Sequence, residues 1–360
     1  MAASLGPIPT PPQTFLQIVS ACDNYRLNAP DTDPVVPWLL APTRAAAAVG
    51  LLRPEVVAQL RAEAAAATAA GAPPSWVFSD SHPSPAAGHK TEWVSFAPHL
   101  ATPAARSRVM AELCERWRDT GLWPDEVGPR KWRAEVYPVY RNPFGARDYP
   151  AGADADADDT NFAFEMERAA SGLFGIVTYG VHMSVVVADP GSVEGWKMWV
   201  ARRAATKQTW PGYLDNSVAG GIPAGYAVYE TVVKEAMEEG SIPEDVVRKY
   251  TTSVGTVSYF FRTPRGWLQP EVEYVYDLRL PVDSDVVPKP MDGEVDSFEL
   301  LPMSKVAELI KTGMFKYNCS IVIIDLMIRQ GFITPDNEPD YQEIVTRLHG
   351  RFEYERWSQV

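Results

Sequence analysis

Apolar residues recur at helical spacing near the start of the chain, where Phe15, Ile18, Val19 and Cys22 line one side of a segment from Gln13 to Tyr25. Pro54 stands at the favoured first position of a second helix that runs through an alanine-rich stretch to the Gly71-Ala-Pro-Pro break. Trp76–Phe78 and Trp93–Phe96 read as short strands around a polar loop. Thr102-Pro103 opens a longer helix reaching about Asp119, with Val109, Leu113 and Trp117 on its apolar side. Trp132–Tyr140 reads as a strand, with Pro138 marking an edge or bulge.

The second half alternates strands and helices. Phe162–Glu167, Gly180–Ala188, Lys197–Arg203, Gly255–Phe261, Glu271–Leu280 and Glu294–Leu300 read as strands. Val228–Glu239, Pro243–Tyr250, Pro302–Lys311, Asn318–Arg329 and Asp340–Arg351 read as helices. That order predicts a mixed sheet with helices on both faces. Between the halves, Ala151–Asn161 (AGADADADDTN) is acidic and low in complexity. Asp154, Asp156, Asp158 and Glu165 match positions 1, 3, 5 and 12 of an EF-hand loop. Asp159 stands where that loop needs Gly and no helix precedes it, so a solvated linker is the better reading. The expected class is therefore α+β in two domains: residues 1–150 as an N-terminal α+β unit, 151–161 as linker, and 162–360 as the second domain.

Length agrees, since 360 residues exceed the roughly 100–200 of one domain. A net charge of −13 argues against a general nucleic-acid or anionic-membrane binder, either of which needs a basic footprint. Three widely spaced cysteines and five scattered histidines give neither a disulfide framework nor a zinc pattern. No apolar run reaches membrane-spanning length, and MAASLGPIPTPPQ lacks the charged and apolar regions of a signal peptide. A cytoplasmic protein, monomer or homodimer, is expected.

Candidate chemistry concentrates in GGIPAGYAVYETVVKEAMEEGSI, from Gly220 to Ile242. On a helix, Glu235, Glu238 and Glu239 stand at i, i+3 and i+4 and share a face. Like charges so placed repel, whereas a hard divalent cation such as Mg²⁺ (or Mn²⁺) favours carboxylate oxygens and bridges phosphates. A solvated acidic face is the bland alternative. With Glu230 four residues before it, Lys234 has a local helical partner.

This stretch resembles the box of the Nudix hydrolases, G-x5-E-x7-R-E-U-x-E-E-x-G-U, with Gly220 as the first glycine. Glu235, Glu238 and Glu239 fall on the metal-facing glutamates. Tyr226 replaces the first Glu, Lys234 the Arg and Ser241 the last Gly. The resemblance implies a Nudix fold for the C-terminal domain, a mixed sheet sandwiched between helices. It also implies a metal-dependent diphosphatase acting on a small molecule, with Glu235, Glu238 and Glu239 as metal ligands and Glu238 or Glu294 as the base. Alternatives are a nucleotide-sugar or dinucleotide pyrophosphatase, or a Nudix-fold binding module that has lost catalysis.

Outside the box, Arg202–Gly212 is similar to the diphosphate-contacting segment of isopentenyl diphosphate isomerases, which share that fold, so Arg203 and Lys207 inherit diphosphate binding. Ala219 and Gly221 fall where those isomerases carry a catalytic Cys and a metal-binding His, so isomerisation is not expected. Glu271 and Glu273 alternate on a strand and point one way, either toward a metal site or to water on an edge strand. Trp210, Trp267 and Tyr226 are candidates to stack a ring. The order of segments from FEMERAA through DGEVDSFEL resembles a eukaryotic Nudix subgroup with an extra N-terminal domain, some members of which are fused to thiamine pyrophosphokinase. That resemblance implies cleavage of damaged (oxo or oxy) thiamine diphosphate to the monophosphate.

Overall fold

The computed structural model describes residues 11–27, 29, 33–79, 92–149, 160–192 and 194–359. The acidic run up to Asp159, with its EF-hand-like spacing, lies outside the described residues. Helix α1 (Phe15–Cys22) begins with a reciprocal cap. Thr14 Oγ1 accepts the Gln17 N–H at 3.1 Å, and Gln17 Oε1 accepts the Thr14 N–H at 2.8 Å. Its apolar stripe Phe15, Ile18, Val19 and Cys22 is buried as the spacing predicts.

Four short strands follow, β1 (Val36–Leu39), β2 (Ala48–Leu52), β3 (Trp76–Phe78) and β4 (Val94–Phe96), in sheet order β2-β1-β4-β3. Helices α2 (Pro54–Ala69) and α3 (Pro103–Thr120) accompany them. Strands β1 and β2 are additions to the sequence reading, which the flanking prolines and alanines obscured. Gly50 of β2 is required by close approach, because a Cβ there would come within 3.0 Å of the Phe174 carbonyl oxygen.

Strand β5 (Val136–Tyr140) starts later than expected and pairs antiparallel with β6 (Phe162–Glu167) in a separate two-stranded ribbon. A short helix α4 (Ser171–Phe174) follows. The main sheet has seven strands: β7 (Thr178–Asp189), β8 (Gly195–Arg203), β9 (Leu214–Asp215), β10 (Val218–Gly221), β11 (Thr251–Arg262), β12 (Leu268–Leu280) and β13 (Val295–Pro302). The main path is β11-β12-β7-β8-β13, with β10 on β7 and β9 on β8. The β7–β12 pair is parallel and the other pairings are antiparallel, so the sheet is mixed, as the element order predicts.

Helices cover both faces. Helices α5 (Val228–Gly240) and α6 (Glu244–Tyr250) bury Val232, Val233, Ala236 and Val247 with Val181, Met183 and Val185 of β7. On the other face, α7 (Met303–Lys311), α8 (Tyr317–Arg329), α9 (Tyr341–Leu348) and α1 share a core with Val186, Val257, Tyr259 and Val275. Each fully buried large apolar side chain stabilises this arrangement by about 1.5–3 kcal/mol. Asp277 and Arg329 join β12 to α8 by two bonds, of 2.6 and 3.0 Å.

Packing crosses the expected division at residues 151–161. Trp38 of β1 meets Phe164 of β6 at 5.3 Å and Phe174 of α4 at 5.0 Å between ring centroids. The molecule is thus mixed α+β throughout, with its N-terminal elements packed into cores that the later elements complete.

Candidate active site

Along β7, Thr178, Gly180 and His182 alternate with the buried apolar residues Tyr179, Val181 and Met183. Parallel register sets Glu271 of β12 beside Thr178, and Glu273 beside Gly180. Antiparallel register sets Ala219, Gly220 and Gly221 of β10 beside His182, Val181 and Gly180. Alternation therefore collects polar groups on one sheet face, where a cleft of about 610 Å³ opens. Gly180 leaves room for the Glu273 carboxylate, whose Cδ would lie 3.2 Å from a Cβ at that position.

Helix α5 brings two glutamates to β10. Glu235 lies against Gly220, where an added Cβ would stand 2.5 Å from its Cγ and 2.8 Å from its Oε1. Glu239 is buried and its Oε2 accepts the Ala219 N–H at 3.0 Å. Burial, with Asp215 and Glu235 nearby, pushes its carboxyl up to about 8. Burial likewise raises Glu235, and Lys234 opposes the rise. Glu238 is half exposed and bonds Lys234 at 2.9 Å, while Glu235 meets the same ammonium at 3.2 Å. Glu230, expected to partner Lys234, instead bonds Arg248 at 2.7 Å, because Arg248 on α6 reaches it with a planar fork.

The two other departures from the box have local explanations. Ser241 adopts the left-handed conformation, φ 50°, that the box's glycine would supply. Its hydroxyl donates to the Lys289 carbonyl at 3.0 Å. Tyr226 is half exposed, in the loop before α5.

Across the cleft, Lys207 contacts Glu294, which sits just before β13 with its N–H bonded to Asp292 Oδ1 at 2.8 Å. Partial burial would raise Glu294, but Lys207 and Arg203 outweigh it and hold the carboxyl below its usual range. Arg203 also lines the cleft, yet its guanidinium is committed within the protein. It bonds Asp215 at 2.5 Å, the Trp210 carbonyl at 3.2 Å and the Thr209 carbonyl at 3.0 Å. Arg203 therefore braces the loop carrying Trp210, whose ring stands 4.8 Å from Tyr317.

Sequence reasoning missed a buried network on the cleft floor. The Tyr259 hydroxyl contacts both Glu271 and, at 2.9 Å, Glu273 Oε1, with one proton to donate between them. Thr178 bonds Glu271 at 3.0 Å, and Asn318 bonds Glu273 at 3.2 Å. His182 Nε2 lies 3.6 Å from Glu273, and burial that would lower its pKa is outweighed by that carboxylate. Glu271 and Glu273 face this network on an interior strand, which removes the alternative of an exposed edge. Only the period-two placement of 271 and 273 signalled it. Trp267 is core: Arg53 lies over its ring at 4.9 Å, and Trp123 meets it edge-on at 5.4 Å.

Among the described residues, no three His, Cys, Asp or Glu side chains already form a metal cage. Mg²⁺ does not demand one, since it commonly keeps waters and takes one or two carboxylates plus substrate phosphates. Glu235, which lines the open cleft, and Glu239, buried behind it against β10, suit that mode.

A second cavity of about 300 Å³ adjoins the first, sharing Tyr137, Thr178, Glu271 and Lys316. Trp210, Tyr317 and Phe261 line it, with Asp125 and Glu126 from the N-terminal half. Among the described residues, no helix is long and apolar enough to cross a membrane.

Comparison with known proteins agrees with this geometry. An uncharacterised protein of Saccharomyces cerevisiae, YJR142W, is 40% identical over 237 residues, covering 63% of this chain and 64% of that one. Nudix hydrolase 20, chloroplastic, of Arabidopsis thaliana is 38% identical over 253 residues, covering 70% and 60%. Nudix hydrolase 24, chloroplastic, of the same plant is 37% identical over 250 residues, covering 69% and 60%. The chain thus spans less than two thirds of the length of each of these relatives. The model of the NUDIX domain matches residues 178–319, from the first residue of β7 to the first turn of α8. The segment that carries Lys207, Glu235, Glu239 and Glu294 thus matches a NUDIX domain.

Proposed function

We propose that the protein is a metal-dependent diphosphatase that hydrolyses a diphosphate-linked small molecule to its monophosphate. The observation that carries this reading is the placement of Glu235 against β10, facing Lys207 and Glu294 across one cleft, with the buried Glu239 bonded to the same strand behind it. Glu235 and Glu239, with Glu238 able to turn inward, would hold Mg²⁺ or Mn²⁺. Such an ion, when bound, neutralises charge on the phosphate oxygens.

The chain's own groups supply the rest. A water oxygen forms a bond to one phosphorus while the bridging P–O bond breaks, and a carboxylate takes the water proton. Glu294, kept ionised by Lys207, and Glu238, half exposed, are the two candidate bases. Lys207 would meet a phosphate oxygen once it leaves Glu294. Arg203 acts at one remove, holding the Trp210 loop.

The adjoining cavity suits a flat ring, with Trp210, Tyr317 and Phe261 as apolar walls. Residues of the N-terminal half complete that cavity, which supports a role for residues 1–150 in substrate selection. Damaged thiamine diphosphate (oxo or oxy form) is the substrate we propose, on the order of segments shared with the thiamine pyrophosphokinase-linked subgroup. Retention of Glu235, Glu238 and Glu239 disfavours a module that has lost catalysis. The reading is tested by incubating diphosphate compounds with the protein and Mg²⁺ and detecting monophosphates by mass. Formation of oxythiamine or oxothiamine monophosphate supports it. Failure on every diphosphate offered would remove it.

A further inference from the structure

We propose that Arg133, Arg168 and Lys316, with the first turn of α8, form an anion subsite at the neck joining the two cavities. It would hold the phosphate that stays on the substrate's ring-bearing part. The subsite rests on the diphosphatase reading for its occupant, but its geometry is independent of the glutamates.

All three cations line both cavities. They come from separate places: Arg133 precedes β5, Arg168 follows β6, and Lys316 is the residue before α8. Two of the three therefore lie outside residues 178–319, on the chain that flanks the β5–β6 ribbon. Arg168 is positioned by Glu135 at 2.6 Å and by the Tyr137 ring, 5.0 Å beneath its guanidinium. Tyr137 is itself seated against Gly221, where an added Cβ would lie 2.7 Å from its Cζ.

Arg133 and Lys316 have no ion-pair or hydrogen-bond partner for their charged groups among the described residues. Partial burial and the neighbouring Arg168 both disfavour charge on Arg133, and of the two guanidiniums only that of Arg168 is paired with a carboxylate, Glu135, among the described residues. Helix α8 starts at the same place with no side-chain cap, adding the positive end of a 13-residue helix. Asp215 and Glu271 near Lys316, and Glu294 near Arg133, favour the charged cations, but Asp215 is bonded to Arg203 and Glu294 to Lys207. Glu135 is engaged by Arg168, and Asp125 and Glu126 bond Arg265 at 2.9 and 3.3 Å. Glu271 is held by Tyr259 and Thr178 and is pushed toward its neutral form by burial and Glu273. A doubly charged anion with several acceptor oxygens fits such a neck, and two guanidiniums favour phosphate geometry. A diphosphate laid across it would reach from the ring cavity toward Glu235 and Glu239.

The test uses inorganic pyrophosphate as probe, titrated calorimetrically into the full chain in EDTA at fixed ionic strength. Arg133 is exposed, so Arg133→Ala should leave the fold intact, and circular dichroism checks this. We expect Arg133→Ala to weaken pyrophosphate binding tenfold or more and Arg133→Lys to restore part of the loss. Glu239→Gln should bind as tightly as the parent or tighter. Parent-like binding by Arg133→Ala, or no binding by the parent, overturns the subsite. If Arg133-dependent binding is found but no diphosphate is hydrolysed, the subsite stands and the diphosphatase reading falls. If hydrolysis is found with binding independent of Arg133, the reverse holds.

Discussion

A methyl group on Gly220 would meet Glu235 along its side chain, with Cγ at 2.5 Å and Oε1 at 2.8 Å. Glu235 has three rotatable side-chain bonds and lines the cleft, so the fold can absorb the intrusion by moving the carboxylate. Gly220→Ala should therefore cost activity rather than stability: kcat/KM down roughly 10–100-fold, on the scale of an ångström's misplacement of a catalytic group. Thermal denaturation should stay within a few degrees of the parent. Normal turnover by this variant would detach Glu235 from the chemistry. Gly221 differs, since a Cβ there strikes the buried, rigid Tyr137 ring. In the sequence, Gly220 was legible as the first glycine of the box resemblance and Gly221 as a position where the isomerases carry His. Their actual role, making room for one carboxylate and one phenol, needed the third dimension.

At the scale of elements, the alternation on β7 and β12 sets a buried imidazole against a buried carboxylate, His182 and Glu273. Glu273 raises His182 well above 6.5, and His182 in turn lowers Glu273 below 4.5. A raised imidazole contributes stability that is fully present below pH 6.5 and is lost only as pH climbs through the higher folded value. A lowered carboxylate contributes stability present above pH 4.5 and lost as pH falls through its folded value. The pair therefore stabilises across neutral pH. Urea denaturation of the parent and His182→Gln should show a stability gap that is full just below pH 6.5, shrinks progressively as pH rises above 6.5 and closes only at the higher folded value. A gap that closes around pH 6.5 would mean that the imidazole is unpaired. Element identity was largely readable from periodicity, because α1, α3, α5 and most strands of the main sheet carry full apolar stripes. Strands β1 and β2 were not, since Pro37 and Gly50 read locally as breakers. Tertiary pairing with β4, and packing against α4, overrides them. The His182–Tyr259–Asn318 floor was hidden for a similar reason: its members are separated by tens of residues and meet only in the folded sheet and α8.

For the whole molecule, the cores decide what can be cut away. Helix α1 buries Phe15, Ile18, Val19 and Cys22 against the helices behind the main sheet. Strand β6 has β5 as its partner, and Trp38 packs on Phe164 and Phe174. A chain beginning at Phe162 loses all of these. It should be aggregated or molten by size-exclusion chromatography and near-UV dichroism, and a monodisperse, cooperatively folding fragment would show that the shared packing is dispensable. The same interlock places the neck arginines beside the glutamates, although the sequence separates Arg133 from Glu239 by a linker and several strands.

The most direct test of the diphosphatase claim is hydrolysis in H₂¹⁸O with Mg²⁺, comparing the parent with Glu239→Gln on the best diphosphate from the screen. Glu239→Gln replaces a buried carboxyl with an amide of nearly the same volume, so the fold should persist. Expected is one ¹⁸O in one phosphorus-containing product of the parent reaction, and a rate lower by about 100-fold or more in the variant. Equal rates for parent and variant, or products without the label, would contradict attack by water at a phosphorus held beside Glu235 and Glu239.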